Sequence, residues 1–260
     1  MTGEDERAAP YVQSLERGLA VIAAFDADHP ELTLAEVSHR TGINRAAVRR
    51  FLHTLIALGY VRTDGRLFAL TPRVLNLGFA YLSGLRLPDI AEPHLKALST
   101  EVGESTSASV LDGPDVVYVA RAATRRIMHV RITVGTRFPA YATSMGRVLL
   151  AHLDGPGLES YWQHVDLVPM TARTLTSRAE LMPVLQQVRN DGYAVVDQEL
   201  ELGLRSVAAP IRDRVGRVCA AVNVSTSIGL AGDDDPIPGI LPHLLATAAA
   251  ITADLAVAGD

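Results

Sequence analysis

The chain has 260 residues, room for two domains, and its 48% hydrophobic and 20% charged side chains mark a globular protein rather than a disordered or fibrous one. Cys219 is its only cysteine, which excludes an internal disulfide framework and a thiolate zinc site. The net charge of −5 argues against a polyanion partner only if it is evenly spread, but residues 32–86 hold eight arginines against Glu36 and Asp64, while residues 87–260 hold 14 basic and 20 acidic side chains.

In chain order, residues 1–10 read as a flexible polar tail without the basic and apolar pattern of a leader. Apart from an Ala-rich C-terminus, no long uninterrupted apolar span follows, so the expectation is a cytoplasmic protein with no membrane partner. Ser14 opens a predicted helix with Leu15, Leu19, Ile22 and Phe25 on one side, placed to pack beneath the next two helices. Thr33-Leu34-Ala35-Glu36 is a capping box, in which hydroxyl and carboxylate each satisfy the other residue's amide. The helix it starts carries Leu34, Val37 and Ser38 and stops at Thr41-Gly42, where glycine permits the left-handed backbone of a tight interhelical turn. Ile43 plugs that turn and Asn44 caps a second helix, whose Val48, Phe51, Leu52, Leu55 and Leu58 form a core-facing stripe closed by Gly59.

The opposite face of this second helix carries Arg45, Ala46, Arg49, Arg50 and His53 beside Asn44, and no carboxylate occurs among residues 37–63. Such a face suits phosphates and base edges; the alternative is an ordinary solvated helix surface. Residues 60–70 give two short strand patterns around Asp64-Gly65, with Arg62 and Arg66 near the tip, which is the pattern of a β-wing. Residues 11–70 therefore predict a winged helix-turn-helix for double-stranded DNA. Arg45 and Arg49 would lie nearest the bases, with Arg50, Arg62 and Arg66 on phosphates.

Thr71-Pro72 opens a predicted linker helix over residues 71–87, apolar enough to be covered by another subunit or by the chain's own second domain. Residues 88–260 predict an α+β domain on an antiparallel sheet. A helix is expected over 89–102, then strands over 105–111, 116–121 and 128–134, with a turn at 112–115. A helix from Thr143 or Ser144 to His152 comes next, followed by a loop at Gly155-Pro156-Gly157. A second capping box at Ser177-Arg178-Ala179-Glu180 opens a helix ending at Gly192. Strands at 193–196, 204–211 and 217–224 and a closing helix from Pro238 complete the pattern.

Nothing in the sequence carries catalysis or a cofactor. There is no Gly-x-Ser-x-Gly elbow, and the sole lysine, Lys96, lies in no phosphate loop. The eight histidines form no i, i+4 pair, and Asp233-Asp234-Asp235 lacks the alternation of a calcium loop, so no metal site is expected. It reads as an exposed approach to the last helix.

Ser14-Leu15-Glu16-Arg17-Gly18-Leu19, residues 135–151 from Gly135-Thr136-Arg137-Phe138-Pro139 to Val148-Leu149-Leu150-Ala151, and Gly203-Leu204-Arg205-Ser206-Val207-Ala208-Ala209-Pro210 together resemble the IclR family of bacterial transcriptional regulators. The likeness runs from about Tyr11 to the end. Thr124-Arg125-Arg126-Ile127-Met128, Thr143-Ser144-Met145-Gly146-Arg147 and Val196-Asp197-Gln198-Glu199-Leu200-Glu201 are similar to the branch controlling the protocatechuate, p-hydroxybenzoate and β-ketoadipate pathway.

The resemblance implies a GAF-like effector domain over residues 88–260 and a homodimer or homotetramer on a near-palindromic operator. It also implies a small organic or aromatic acid held between Phe138, Ser144 and Met145 on one side and Asp197, Ser206, Asn223 and Ser225 on the other. A helix N-terminus at Thr143 suits a carboxylate, and Phe138 and Met145 would cover an aromatic ring. Met145, Ser206 and Asn223 stand where small-keto-acid members carry cysteine or smaller groups, which disfavours a glyoxylate-like effector. Met145 also fits a core position, Asn223 and Ser225 fit polar strand positions, and Asp197 fits a solvated strand end. Arg147 and Arg205 suit either a carboxylate ligand or internal pairing with Glu199 or Glu201. The expected function is ligand-responsive transcription control; an enzyme with an accessory winged helix and a ligand-independent DNA-binding protein are the alternatives.

Overall fold

The computed structural model describes residues 11–77, 86–124, 132–227 and 235–258. The expected tail at 1–10, residues 78–85 of the linker helix, the first part of the 128–134 strand, and Asp233 and Asp234 lie outside the described residues. The chain forms two compact units, Met1–Gly84 and Leu85–Asp260.

The first unit runs α1 (Gln13–Ala23), β1 (Glu31–Thr33), α2 (Leu34–Thr41), α3 (Arg45–Ala57), β2 (Val61–Thr63) and β3 (Leu67–Leu70). Its three strands are antiparallel in the order β1-β3-β2, with Leu32 opposite Phe68 and Arg62 opposite Ala69. Val21, Phe25, Leu32, Val37, Val48, Leu52, Leu55 and Val61 form one core. The expected α1 stripe is corrected: Leu15 and Leu19 are 62% and 53% exposed, while Val21 is fully buried with Ala24 and Phe25 beside it. The inward face runs through Gly18, whose position would bring an added Cβ to 3.9 Å from the Phe51 ring. Half of the expected stripe holds, since Phe25 is buried and Ile22 packs against the same core, while a methyl at Gly18 would meet Phe51 only at ordinary contact distance. Leu58 is half-exposed at the C-cap of α3, so that stripe ends at Leu55. After β3, Thr71 caps a short 3-10 turn, Pro72–Val74.

The second unit is built on a six-stranded antiparallel sheet ordered β6-β5-β4-β9-β8-β7. In chain order its elements are α4 (Arg86–Val102), β4 (Ser105–Asp112), β5 (Asp115–Ala122), β6 (Arg137–Pro139), α5 (Ser144–Ala151), α6 (Gly155–His164), α7 (Arg178–Asp191), β7 (Ala194–Asp197), β8 (Leu204–Arg212), β9 (Val218–Ser227) and α8 (Ile237–Val257). On one sheet face, Leu95 and Leu98 of α4 and Leu244 and Ile251 of α8 pack on Val207, Ile211, Val222 and Val224. On the other, Met145, Val148 and Leu150 of α5 and Leu185 and Val188 of α7 pack on Ala208, Ala221, Val116 and Tyr118. Alternate residues of β8 and β9 thus serve opposite layers, as the two-residue period of a strand requires. By length and composition α8 alone among the described helices could cross a membrane, yet its Ile237, Ile240, Leu244, Ala248 and Ile251 are built into the core.

Two expectations fail locally. Residues 132–134 are not strand; the sixth strand is β6, which sets Phe138 opposite Val116. Gly155-Pro156-Gly157 is the first turn of α6, because the Asp154 carboxylate accepts the Gly157 amide at 2.8 Å and proline suits a first helical turn.

Candidate nucleic-acid interface and effector cavity

Backbone chemistry aims α3. The Thr33–Glu36 capping box starts α2: the Glu36 carboxylate accepts the Thr33 amide at 2.7 Å and the Thr33 hydroxyl accepts the Glu36 amide at 3.3 Å. The Thr33 amide first, and then the Thr33 hydroxyl donating to the same carboxylate at 2.7 Å, hold the Glu36 carboxyl below the usual carboxylate range. Gly42 takes φ +68° at the end of α2, the Ser38 hydroxyl donates to the Ile43 carbonyl across the turn at 2.6 Å, and Asn44 Oδ1 accepts the Ala47 amide at 2.9 Å. With Val48, Leu52 and Leu55 turned inward, Asn44, Arg45, Ala46, Arg49, Arg50 and His53 are all exposed on the opposite side. Among the described residues, no carboxylate lies within ion-pair distance of Arg45, Arg49 or Arg50.

The wing forms as expected around Asp64-Gly65. The Asp64 carboxylate accepts the Leu67 and Arg66 amides at 2.7 and 2.8 Å, Leu67 contributing most to holding that carboxyl low, and Gly65 sits at φ +100°. Arg66 is exposed at the tip. Arg62 has a partner: Nη2 donates to Glu31 Oε1 at 3.0 Å, from a residue of β1 just outside the carboxylate-free stretch. Both side chains are largely exposed, so the pair is weak and a phosphate can compete for it. Arg40 is taken up by Asp26, and Arg73 lies 5.5 Å over the Tyr60 ring.

In the second unit, a cavity of about 20 Å³ lies between the first turn of α5 and the sheet, lined by Tyr118, Ile132, Ala142, Thr143, Ser144, Val196, Leu200, Leu204, Ser206, Asn223 and Ser225. Four of the expected effector residues, Ser144, Ser206, Asn223 and Ser225, converge there. The Thr143 hydroxyl accepts the Gly146 amide at 3.1 Å and so caps α5 at the cavity wall. Asn223 Nδ2 donates to the Ser225 hydroxyl at 2.9 Å, but Asn223 Oδ1 and Ser144 Oγ are buried without a hydrogen-bond partner. Orphaned polar atoms of this kind are costly and mark a place where a ligand or water belongs.

Three expected residues are elsewhere. Met145 is fully buried in the core under α5. Phe138 stacks edge-on against Tyr118 at 5.7 Å and buttresses the wall from behind. Asp197 accepts from Arg205 Nε at 2.9 Å and also pairs with Arg173; the Arg205 bond does most to keep its carboxyl low. Arg147 pairs with Glu199, and Arg205 with Asp197 and Asp235, so neither guanidinium is offered to the cavity. Sequence reasoning missed Tyr118, Leu200 and Leu204 altogether. Val196 was recoverable, since it lies directly opposite Ser206. Burial pushes the Tyr118 hydroxyl up to about 12, so it stays a neutral donor at physiological pH. Ser107 lies opposite both Asn223 and Arg121, and Arg121 Nη1 donates to the Ser107 hydroxyl at 3.1 Å, which brings a half-buried guanidinium to this face of the sheet.

Residues 14–65 match the IclR helix-turn-helix domain, and residues 79–253 match the C-terminal domain of the bacterial transcriptional regulator IclR. The chain belongs to the IclR family. It is 50% identical over 237 residues to the Pca regulon regulatory protein of Pseudomonas putida, covering 91% of this chain and 81% of that one. It is 36% identical over 252 residues to the p-hydroxybenzoate hydroxylase transcriptional activator of Acinetobacter baylyi, covering 95% and 93%. An IclR homolog from Microbacterium hydrocarbonoxydans, solved with 4-hydroxybenzoate, shares the fold at a TM-score of 0.82 and 24% identity, covering 94% of this chain and 99% of that one. Like its IclR relatives, the protein is a DNA-binding transcriptional regulator and not an enzyme.

Proposed function

We propose that this IclR-family regulator controls genes of aromatic-acid breakdown in the cytoplasm, binding a near-palindromic operator as a homodimer or homotetramer and responding to a small aromatic or related organic acid. Residues 11–70 bind DNA, 71–87 link the two units, and 88–260 sense the effector. In this reading α3 enters the major groove, Arg45 and Arg49 read base edges, and Arg50 and Arg66 hold phosphates, with Asn44, Ala46 and His53 alongside. The observation that carries it is the exposed arginine face of α3, free of carboxylate partners among the described residues, on a helix whose opposite face is locked into the core. The relatives' names supply the pathway: one governs a Pca regulon and another a p-hydroxybenzoate hydroxylase.

The cavity supports the effector half through its convergent hydroxyls, its two orphaned polar atoms and the N-terminus of α5, a ready site for a carboxylate. About 20 Å³ admits little more than a water, whereas small-molecule pockets run to roughly 300 Å³ and above, so the acid must open its own space. Two measurements test the reading. Arg49→Ala should weaken operator binding by about 1–3 kcal/mol and relax specificity, read by fluorescence anisotropy on operator and mutated operator; unchanged affinity and specificity would remove Arg49 from the base-reading set. Calorimetry with 4-hydroxybenzoate, protocatechuate and β-ketoadipate should give saturable binding to at least one, with no turnover.

A further inference from the structure

If the cavity is to hold an acid larger than water, one of its walls must move, and most of the described walls cannot. The floor is sheet, held by continuous ladders between β7, β8, β9 and β4. The α5 wall is buried along its whole length and jammed against the preceding turn: a Cβ on Gly146 would lie 2.1 Å from the Ala140 carbonyl oxygen. The remaining apolar cover includes Leu200, carried by the turn at residues 198–203 between β7 and β8.

That turn is built as a unit. Its neck is closed by the Gln198 amide donating to the Leu204 carbonyl at 2.8 Å, and the Gly203 amide donates to Gln198 Oε1 at 3.1 Å. Left-handed residues stand at both ends, Gln198 at φ +59° and Gly203 at φ +80°; Gln198 is the only non-glycine with positive φ among the described residues. A side chain held in that region is strained, and such strain collects where a segment must change state.

What holds the turn down converges on Glu199. Arg147 Nη2 donates to Glu199 Oε2 at 2.5 Å, the Leu175 amide donates to the same oxygen at 3.1 Å, and the Thr174 hydroxyl donates to the Glu199 carbonyl at 2.7 Å. Arg147 in turn donates from Nε to the Tyr141 carbonyl at 3.1 Å, in the turn that leads into α5. The guanidinium is 3% exposed and the carboxylate 9%. A buried ion pair adds little net stability, yet removing one partner strands the other charge, so its effect is to fix position.

We infer that the turn at residues 198–203 is the movable wall of the cavity and that the Arg147–Glu199 pair is its latch, joining the wall to the helix whose N-terminus forms the opposite side. The inference rests on the reading of the cavity as the acid site, but its first test does not. Arg147 and Glu199 act here as positioning residues.

Hydrogen–deuterium exchange on the full-length protein, free of added acid, reads the latch directly. Glu199→Gln keeps the shape and removes the charge; it should speed exchange of the 198–204 amides by roughly tenfold or more, the loss expected for a hydrogen bond to a charged group, while α5 and the centre of β8 stay protected. Thr174→Val, which removes the neutral bond to the Glu199 carbonyl together with the acceptor of the Met170 and Thr171 amides, should also accelerate the same amides and covers the case in which Glu199→Gln does not fold. Unchanged exchange in the turn, or acceleration spread equally through α5 and the sheet, overturns the latch. Adding 4-hydroxybenzoate or protocatechuate then separates the two ideas: slowed exchange at 198–204 supports both. A turn that loosens in Glu199→Gln but responds to neither acid upholds the latch and sinks the assignment of those acids.

Discussion

At the scale of single residues, Gly146 is where space rather than chemistry decides. It sits one turn into α5, and an added methyl would overlap the Ala140 carbonyl oxygen at 2.1 Å and the Ala140 Cα at 2.4 Å, both backbone atoms that cannot swing aside. Gly146→Ala should therefore destabilise the second unit by about 1–3 kcal/mol, the cost of overpacking a filled core, and displace the Ser144 end of the cavity. Thermal unfolding should show a lowered transition together with weaker acid binding; a transition at the wild-type temperature would mean that the turn at residues 140–142 yields more easily than its packing indicates. Arg62 teaches the opposite lesson. Its charge was readable in the sequence, but its partner was not, because Glu31 is distant in sequence and arrives only through the pairing of β1 and β2 with β3.

Among the elements, those declared by local chemistry were the ones readable beforehand. The box at Thr33, the caps at Ser177 and Asn44, and the glycines at 42, 59 and 192 all specify their ends within four residues and are present in the fold, although at Ser177 the reciprocal half of the expected box is replaced by its hydroxyl donating to the Glu180 carboxylate. Thr33→Ala should thus cost the first unit about 1 kcal/mol, since it removes the acceptor for the Glu36 amide and the hydroxyl that donates to the Glu36 carboxylate while leaving the backbone amide bond to that carboxylate in place, as chemical denaturation of wild type and variant would measure. A loss near zero would show that the Glu36 amide finds water at no penalty. Elements specified by distant contacts were misread. The three-residue strands β1 and β6 are too short for alternation to register, and α1 buries Val21 and Ala24 with Phe25 while Leu15 and Leu19 stay exposed; the start of α6 is the exception, missed although its Asp154 cap on the Gly157 amide is local. The cavity divides the same way. Ser206, Asn223 and Ser225 share one sheet face by the two-residue period, whereas Leu200 reaches it from a turn whose path is set by a buried ion pair.

For the molecule as a whole, the decisive feature is the local separation of charge, a basic stretch over residues 32–86 in an otherwise acidic chain. Affinity for DNA that rests on guanidinium groups displaces counterions from the duplex, so it must fall as salt rises, with a slope near 0.9 per phosphate neutralised. Arg45, Arg49, Arg50 and Arg66 lack ion-pair partners among the described residues, and a dimer presenting all four twice would give a log–log slope of about −7, a ceiling because base-reading arginines contribute less. The identity of each arginine should show in that slope. Arg50→Ala removes two phosphate contacts per dimer and should make the slope shallower by nearly 2 at every operator sequence. Arg62→Ala should change it by much less, because in the free protein that guanidinium already neutralises Glu31 and must give up one anion to take another. Anisotropy titrations between low and moderate salt would separate the two. If both variants moved the slope equally, the Glu31 pair would not persist in solution; if neither did, the phosphates would be met by groups other than this arginine face.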